Sequence, residues 1–283
     1  MHLYKTPSGP LLAYDTFAYQ LEDEWDSLLV RDDLAAYLTS EKDRLHPVGG
    51  AEWLAAQTFE APIGSQEIWA SGVTYQRSKV ARMEESEASG GATFYDKVYD
   101  AERPELFFKG TAHRAVGTGG RVNIRKDSTW DVPEPELTLV ISPSGKLIGY
   151  TVGNDMSSRS IEGENPLYLP QAKVYDGCAA LGPCLYVPPT PPPPDTAIHL
   201  EVKRDKHPVF YGKTSLDQMK RQPEELVEYL YRECTFPQGC YLMTGTGIVP
   251  PSDFTLQTGD EIFIRIDPIG TLRSVVEEQY VGV

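Results

Sequence analysis

A chain of 283 residues that is 40% hydrophobic is long enough for one sizeable core, and its formal net charge of −15 repels phosphate backbones and anionic lipid. The nearest basic run, Lys203-Arg204-Asp205-Lys206-His207, has an acid at its centre and reads as a solvated strand or turn, so nucleic-acid binding is not expected. No apolar run approaches the roughly 20 residues needed to cross a bilayer, and Met1 to Pro7 carries no signal-peptide pattern, so a cytoplasmic protein is expected.

Residues 1 to 62 read as a small α/β appendage. Asp32-Asp33 stand at a plausible helix start before Leu34 to Leu38, and Gly49-Gly50 precedes a second helical stretch, Ala51 to Ala56. From about residue 63 to 283 the texture is β-rich and broken by Gly and Pro. The expected strands are Ile68 to Ala70, Leu106 to Phe108, Val122 to Ile124, Glu136 to Ile141, Leu147 to Val152, Ile198 to Val202 and Glu261 to Ile266. Pro188 to Asp195 reads as a stiff crossing between two strands or, alternatively, a polyproline ligand. Ser215 to Arg232 has Leu216, Met219, Leu226, Tyr229 and Leu230 near helical spacing, with Pro223 at the start of its best portion. Cys178, Cys184, Cys234 and Cys240 form no CxxC pair and are expected to be free thiols.

The chemistry concentrates in Glu134-Pro135-Glu136-Leu137. On a strand, residues i and i+2 face the same side, so two carboxylates are brought together, which a hard cation between them would explain. After a turn at Ser142-Pro143-Ser144-Gly145, a second run leads to Asn154-Asp155-Met156-Ser157-Ser158-Arg159, and a hairpin returns Asp155 beside the pair as a third carboxylate. This ExE pattern followed by Asn-Asp-x-Ser-x-Arg resembles the metal-binding signature of the fumarylacetoacetate hydrolase superfamily. Further segments are similar to that family: Gly72-Val73-Thr74-Tyr75, Pro104 to Lys109, Lys173 with Leu181-Gly182-Pro183, Thr244 to Gly247 and Leu256 to Asp260.

The resemblance implies a mainly β (α+β) fold, a β-roll behind the small N-terminal α/β domain. It implies Mg²⁺, with Mn²⁺ or Ca²⁺ as alternatives, on Glu134, Glu136 and Asp155, and no organic cofactor. The ligand it implies is a small 2-keto acid, contacted by Arg159, Thr246, Tyr75, Ser78, Lys109 and Asp176. A homo-oligomer, dimer or tetramer, is implied as well. Hydrolytic members place a histidine just beyond the Gly-x-Asn-Tyr loop to activate water, and here the loop runs Gln76 to Ser86 without one. That loop and Arg103 to Lys109 look like the sugar-acid dehydratase branch, which implies dehydration of a 2-keto-3-deoxy pentonate to 2,5-dioxopentanoate. Lys173 and Glu105 are the expected proton carriers, the lysine as base with its pKa lowered by the cation and Glu105 as acid. Glu84 and Glu85 read as helix-surface charge. A carbon–carbon hydrolase or acylpyruvase and a catalytically silent sugar-acid binding protein are the competing expectations.

Overall fold

The computed structural model describes residues 1–85 and 92–278, and the side chains of Glu84 and Glu85 lie outside the described residues. The fold is mainly β. Its centre is the antiparallel hairpin Pro135–Ile141 and Leu147–Asp155, closed by a turn in which the Gly145 N–H donates to Ser142 O at 2.9 Å. On one side the hairpin continues through Cys240–Met243, Glu67–Gly72 and Glu105–Thr111. On the other side it continues through Ala179–Tyr186 and then the N-terminal strands His2–Thr6, Gly9–Tyr14 and Phe17–Gln20. The expected appendage thus extends the main sheet by backbone pairing of Leu3 with Leu185.

A second sheet of five strands runs His207–Ser215, Ala197–Arg204, Glu261–Ile266, Gly270–Glu278 and Arg121–Ile124. Its inner face follows the two-residue period of a strand: Ile262, Ile264 and Ile266 are buried while Glu261, Phe263 and Arg265 are not. These residues share one core with Leu139, Val152, Leu181 and Leu242 of the first sheet. Every residue of Pro135–Ile141 is buried, because the hairpin is covered on both faces. Acids placed on that strand are therefore taken out of water.

Pro188 to Asp195 carries the chain from the first sheet to the second, between Ala179–Tyr186 and Ala197–Arg204. The basic run forms a hairpin tip, with Asp205 and Lys206 both in the left-handed region that a two-residue turn demands. The helix expected from Ser215 is shorter than its periodicity suggests: Leu216–Gln218 is a single 3-10 turn and the α-helix spans Pro223–Tyr231. Gln222 is extended, as a residue before proline prefers, and Pro223 starts the helix where no N–H is needed. Cys178, Cys184 and Cys240 are buried free thiols and Cys234 is an exposed one. No helix among the described residues is long and apolar enough to cross a membrane.

Candidate active site

Glu134 immediately precedes the strand Pro135–Ile141 and Glu136 lies within it. Across the hairpin Pro135 pairs with Asn154 and Glu136 with Gly153, and the Asp155 N–H donates to Glu134 O at 3.0 Å. The Asn154 side-chain oxygen accepts from Glu134 N–H at 3.2 Å. Asp155 is thereby fixed beside the two glutamates. One oxygen from each of Glu134, Glu136 and Asp155 lies within 4.8 Å of the others, and all three residues are at most 2% exposed.

Burying carboxylates together is costly unless opposite charge comes with them. Four cations supply part of it. Lys173 Nζ donates to Glu134 Oε2 at 2.5 Å, to Ser157 Oγ at 2.6 Å and to Asp155 Oδ2 at 3.2 Å. Arg82 and Arg159 both reach Glu134 Oε1, at 2.8 and 2.6 Å, and Arg82 also binds Glu162 Oε2 at 2.6 Å. Lys109 Nζ pairs with Asp155 Oδ1 at 2.6 Å and donates to Met156 O at 2.9 Å.

The charge is unevenly shared. Burial alone would raise Glu134, but Lys173, Arg82 and Arg159 outweigh it and hold the carboxyl below the usual range. Glu136 goes the other way: burial first, then the charges of Asp155 and Glu134, push it well above the usual range. Its one described hydrogen bond comes from Gly245 N–H at 2.6 Å, and among the described residues it has no lysine or arginine partner. Gly245 is left-handed at φ 90°, and a Cβ there would overlap the Thr74 hydroxyl, so only glycine turns this N–H onto Glu136. Three hard oxygen donors, one with no ion pair of its own among the described residues, fit a divalent cation of the Mg²⁺ or Ca²⁺ type.

Glu105 opens the strand Glu105–Thr111, opposite Gly72. A Cβ on Gly72 would overlap the Glu105 carboxylate, so the glycine makes the space in which that carboxylate turns into the pocket. Burial, then the charge of Glu162, raises Glu105 to about 7, with Arg82 and Lys173 pulling it back. Lys173 ends the short helix Leu169–Lys173. Burial alone would lower its pKa, but Asp155, Glu134 and Glu162 together raise it above the ordinary lysine value. The lowering expected of a base depends on a cation at the three carboxylates, whereas the raised pKa belongs to Lys173 facing those carboxylates alone.

One pocket is lined by Glu105, Glu134, Glu136, Asp155 and Lys173, with Ser78 and Thr246 also on its wall. Ser78 holds the turn into its helix, donating to Tyr75 O at 2.8 Å. Arg159 is buried against Glu134, and Lys109 lies fully buried behind Asp155. Tyr75 is buried with its phenol oxygen lacking a hydrogen-bond partner, and it lines an adjoining cavity with Arg77 and Gly247. Asp176 is not brought in: it is exposed and faces Arg114 at 3.6 Å. Sequence reasoning missed Arg82 and Glu162. The signal for Glu162 was its position three residues after Arg159 on one helix, Arg159–Glu164, and that for Arg82 its position four after Ser78. No histidine lines the pocket.

Comparison with known proteins agrees with this geometry. Residues 67–277 match the family described as fumarylacetoacetate (FAA) hydrolase, C-terminal. A probable 2-keto-3-deoxyxylonate dehydratase of Haloferax volcanii is 46% identical over 246 residues, 87% of this chain and 82% of that protein. A 2-dehydro-3-deoxy-D-arabinonate dehydratase of Saccharolobus solfataricus is 43% identical over 220 residues, 77% of this chain and 74% of that one. A solved 2-keto-3-deoxy-D-arabinonate dehydratase complexed with magnesium and 2,5-dioxopentanoate superimposes with a TM-score of 0.85 at 35% identity, covering 99% of this chain and all of that chain. A buried three-carboxylate cluster on the central hairpin, the family match over three quarters of the sequence and relatives of this similarity agree: the chain belongs to the fumarylacetoacetate hydrolase family.

Proposed function

We propose that the chain is a Mg²⁺-dependent hydro-lyase that converts a 2-keto-3-deoxy pentonate to 2,5-dioxopentanoate. The observation that carries this reading is a pocket in which three carboxylates face Lys173 and Glu105 with no histidine to activate water. The relatives named for xylonate and arabinonate act on one skeleton, because the 2-keto-3-deoxy form has lost the configuration at C2 and C3 and differs from others of its length only at C4. Dehydration takes a proton from C3 and hydroxide from C4; a proton then moves from C5 to C3 to give the C4–C5 enol, and the enol hydroxyl proton passes to C4 as the C5 aldehyde forms.

Glu134, Glu136 and Asp155 would hold the cation. When bound, it supplies Lewis acidity to a chelating 2-keto acid and so acidifies the C3 hydrogens. The chain's own residues do the proton work. Glu105, at about 7, is ionised often enough to take the C3 proton and protonated often enough to return one. Lys173, kept cationic by its carboxylate neighbours, is suited to hydrogen-bond and protonate the departing C4 hydroxyl. That reverses the roles expected from sequence while keeping the same pair. Arg159, Thr246, Tyr75 and Ser78 are proposed to shape the substrate's surroundings, and Lys109 to hold Asp155 in place.

The same proposal treats residues 1–62 as a structural appendage, since none of them lines the pocket, and 63–283 as the catalytic part. A cytoplasmic homo-oligomer, dimer or tetramer, completes it, supported by the family resemblance and the free thiols. The test is incubation of the Mg²⁺-loaded protein with 2-keto-3-deoxy pentonates and with acylpyruvates, read by mass spectrometry. A product lighter by one water from the sugar acid is expected. Pyruvate released from an acylpyruvate, with no water lost from any sugar acid, overturns the assignment in favour of a hydrolase.

A further inference from the structure

One wall of the pocket is not part of either sheet. It is the helix Gln76–Glu85, which presents Ser78 and Arg82 inward and leans on the helix Ala92–Asp100. Lys79 joins the two, with its Nζ 2.8 Å from Asp96 and 3.5 Å from Asp100. The outer end of this pair is fixed to the body. The Arg221 guanidinium donates to the carbonyls of Val98, Ala101 and Glu102, and Lys220 to Tyr99 O and Asp100, two cations where a helix C-terminus favours them. The inner face is held by Arg82, whose guanidinium spans Glu134 and Glu162.

Three cations crowd Glu134, and they do not stand on equal ground. Lys173 and Arg159 belong to segments packed on the short ladder at Ser157–Ser158, directly after Asp155. Arg82 alone comes from the helix pair. Both oxygens of Glu134 are already taken, Oε1 by the two arginines and Oε2 by the lysine. A divalent cation seated on Glu134, Glu136 and Asp155 needs a Glu134 oxygen and repels every cation around it. The group that can yield with the least disturbance of the sheet is Arg82. It would yield beside the place where a 2-keto acid docks, and its planar fork matches a carboxylate.

We infer that Arg82 is a positioning residue that exchanges partners: its ion pair with Glu134 and Glu162 gives way when metal binds and is remade on the substrate's carboxylate, closing the helix Gln76–Glu85 over a loaded site. The inference rests on the metal-dependent reading above. It has a thermodynamic signature, because linkage is reciprocal: whatever factor Arg82 takes from metal affinity, metal must take from the hold of Arg82 on the helix.

The experiment compares the full-length protein with Arg82→Gln and Arg82→Lys, by Mg²⁺ calorimetry and by amide hydrogen exchange over residues 76–85. Removing the competing charge should tighten Mg²⁺ binding by about fivefold or more in Arg82→Gln, with Arg82→Lys in between. In the unsubstituted protein Mg²⁺ alone should speed exchange in this helix, and Mg²⁺ with pyruvate should slow it again. In Arg82→Gln exchange should be fast throughout and indifferent to both. A merely structural arginine would leave metal affinity unchanged or weaken it on removal. Unchanged or weaker Mg²⁺ binding in Arg82→Gln overturns the exchange, as does a helix in the unsubstituted protein whose protection ignores Mg²⁺ and pyruvate. If Arg82→Gln does not fold, Arg82→Lys and the unsubstituted protein decide by the same readouts. No step uses turnover, so failure of the dehydratase assignment appears separately, as no loss of water from the sugar acid.

Discussion

Asp260 and Glu134 are both buried carboxylates held by arginine, and they sit in opposite kinds of surroundings. Asp260 precedes the strand Glu261–Ile266 and is completely buried. It receives Arg204 through Nε and an NH2 group, both at 2.8 Å, and the Gln257 N–H at 2.9 Å, while the same arginine binds Thr255 O at 3.0 Å. One acid meets one planar fork and a backbone donor, and nothing is left over. Glu134 has three cations in direct contact, while Glu136 two residues on forms no ion pair among the described residues and feels Lys173 only through space. Its surroundings are balanced only as a cluster, with one carboxylate waiting for a charge. A buried pair that satisfies itself fastens a loop; a buried cluster that does not is poised for something to enter.

The comparison is broken most severely at Lys173. Lys173→Met is expected to lower kcat by roughly a thousandfold or more, the scale of lost acid–base and electrostatic help. Mg²⁺ should still bind, since an amine is no ligand for a hard cation. Calorimetry alongside the kinetics separates the two: loss of Mg²⁺ binding together with turnover would make Lys173 a counter-ion for the carboxylates and remove it from the chemistry. At the other pole, Asp260→Ala leaves Arg204 with one of its three hydrogen bonds, the one to Thr255 O. Breaking such a pair costs about 3 kcal/mol, or roughly 6–12 °C in Tm for a chain of this size. The kcat at a temperature where the variant is folded should be unchanged. A drop in kcat without a drop in Tm would mean that the two clusters are not independent.

The carboxylate cluster was legible because its parts lie on one hairpin. Glu134, Glu136 and Asp155 are fixed relative to one another by the two-residue period and by antiparallel register, both of which follow from local sequence. Glu105 and Lys173 could be named only through a family pattern, since each comes from a different part of the chain and meets the hairpin through long-range packing. Arg82 was legible only through its position four residues after Ser78. Its helix is rich in charge, Gln-Arg-Ser-Lys-Val-Ala-Arg-Met-Glu-Glu, and reads as a solvated face until Ser78, Ala81 and Arg82 are seen buried. Asp176 fails for the converse reason: three residues after the helix that ends at Lys173, it sits in a turn that faces outward. The β character of the fold was clear from alternation in strands such as Glu261–Ile266. The N-terminal strands were hidden, because nothing in His2 to Tyr14 says that it will pair with Ala179–Tyr186.

Asp131 offers the smallest and sharpest test, because it is buried like Asp260 and yet has neither a fork nor a cluster. It pairs with Ser158 in the short ladder, is 3% exposed, and its Oδ1 finds no hydrogen-bond partner. Burial raises its carboxyl to about 6, against smaller lowering effects from Ser128 and Arg125. In the unfolded chain an aspartate titrates near 3.9, so between about pH 4 and pH 6 the folded protein holds more protons than the unfolded one. The stability this group contributes is therefore complete below pH about 4 and is lost as pH rises through about 6. Asparagine cannot ionise and escapes that loss. Relative to the unsubstituted protein, Asp131→Asn should gain about 1–2 kcal/mol between pH 4 and pH 8, after allowance for partial exposure, which is a few degrees in Tm. The comparison removes the intrinsic cost or benefit of the amide, which is the same at both pH values. Thermal melts of both proteins at pH 4.5 and pH 8, at one ionic strength, would give that difference; a Tm gap that does not change with pH would mean that the Asp131 carboxylate is ionised and satisfied in the folded protein, which would place it with Asp260.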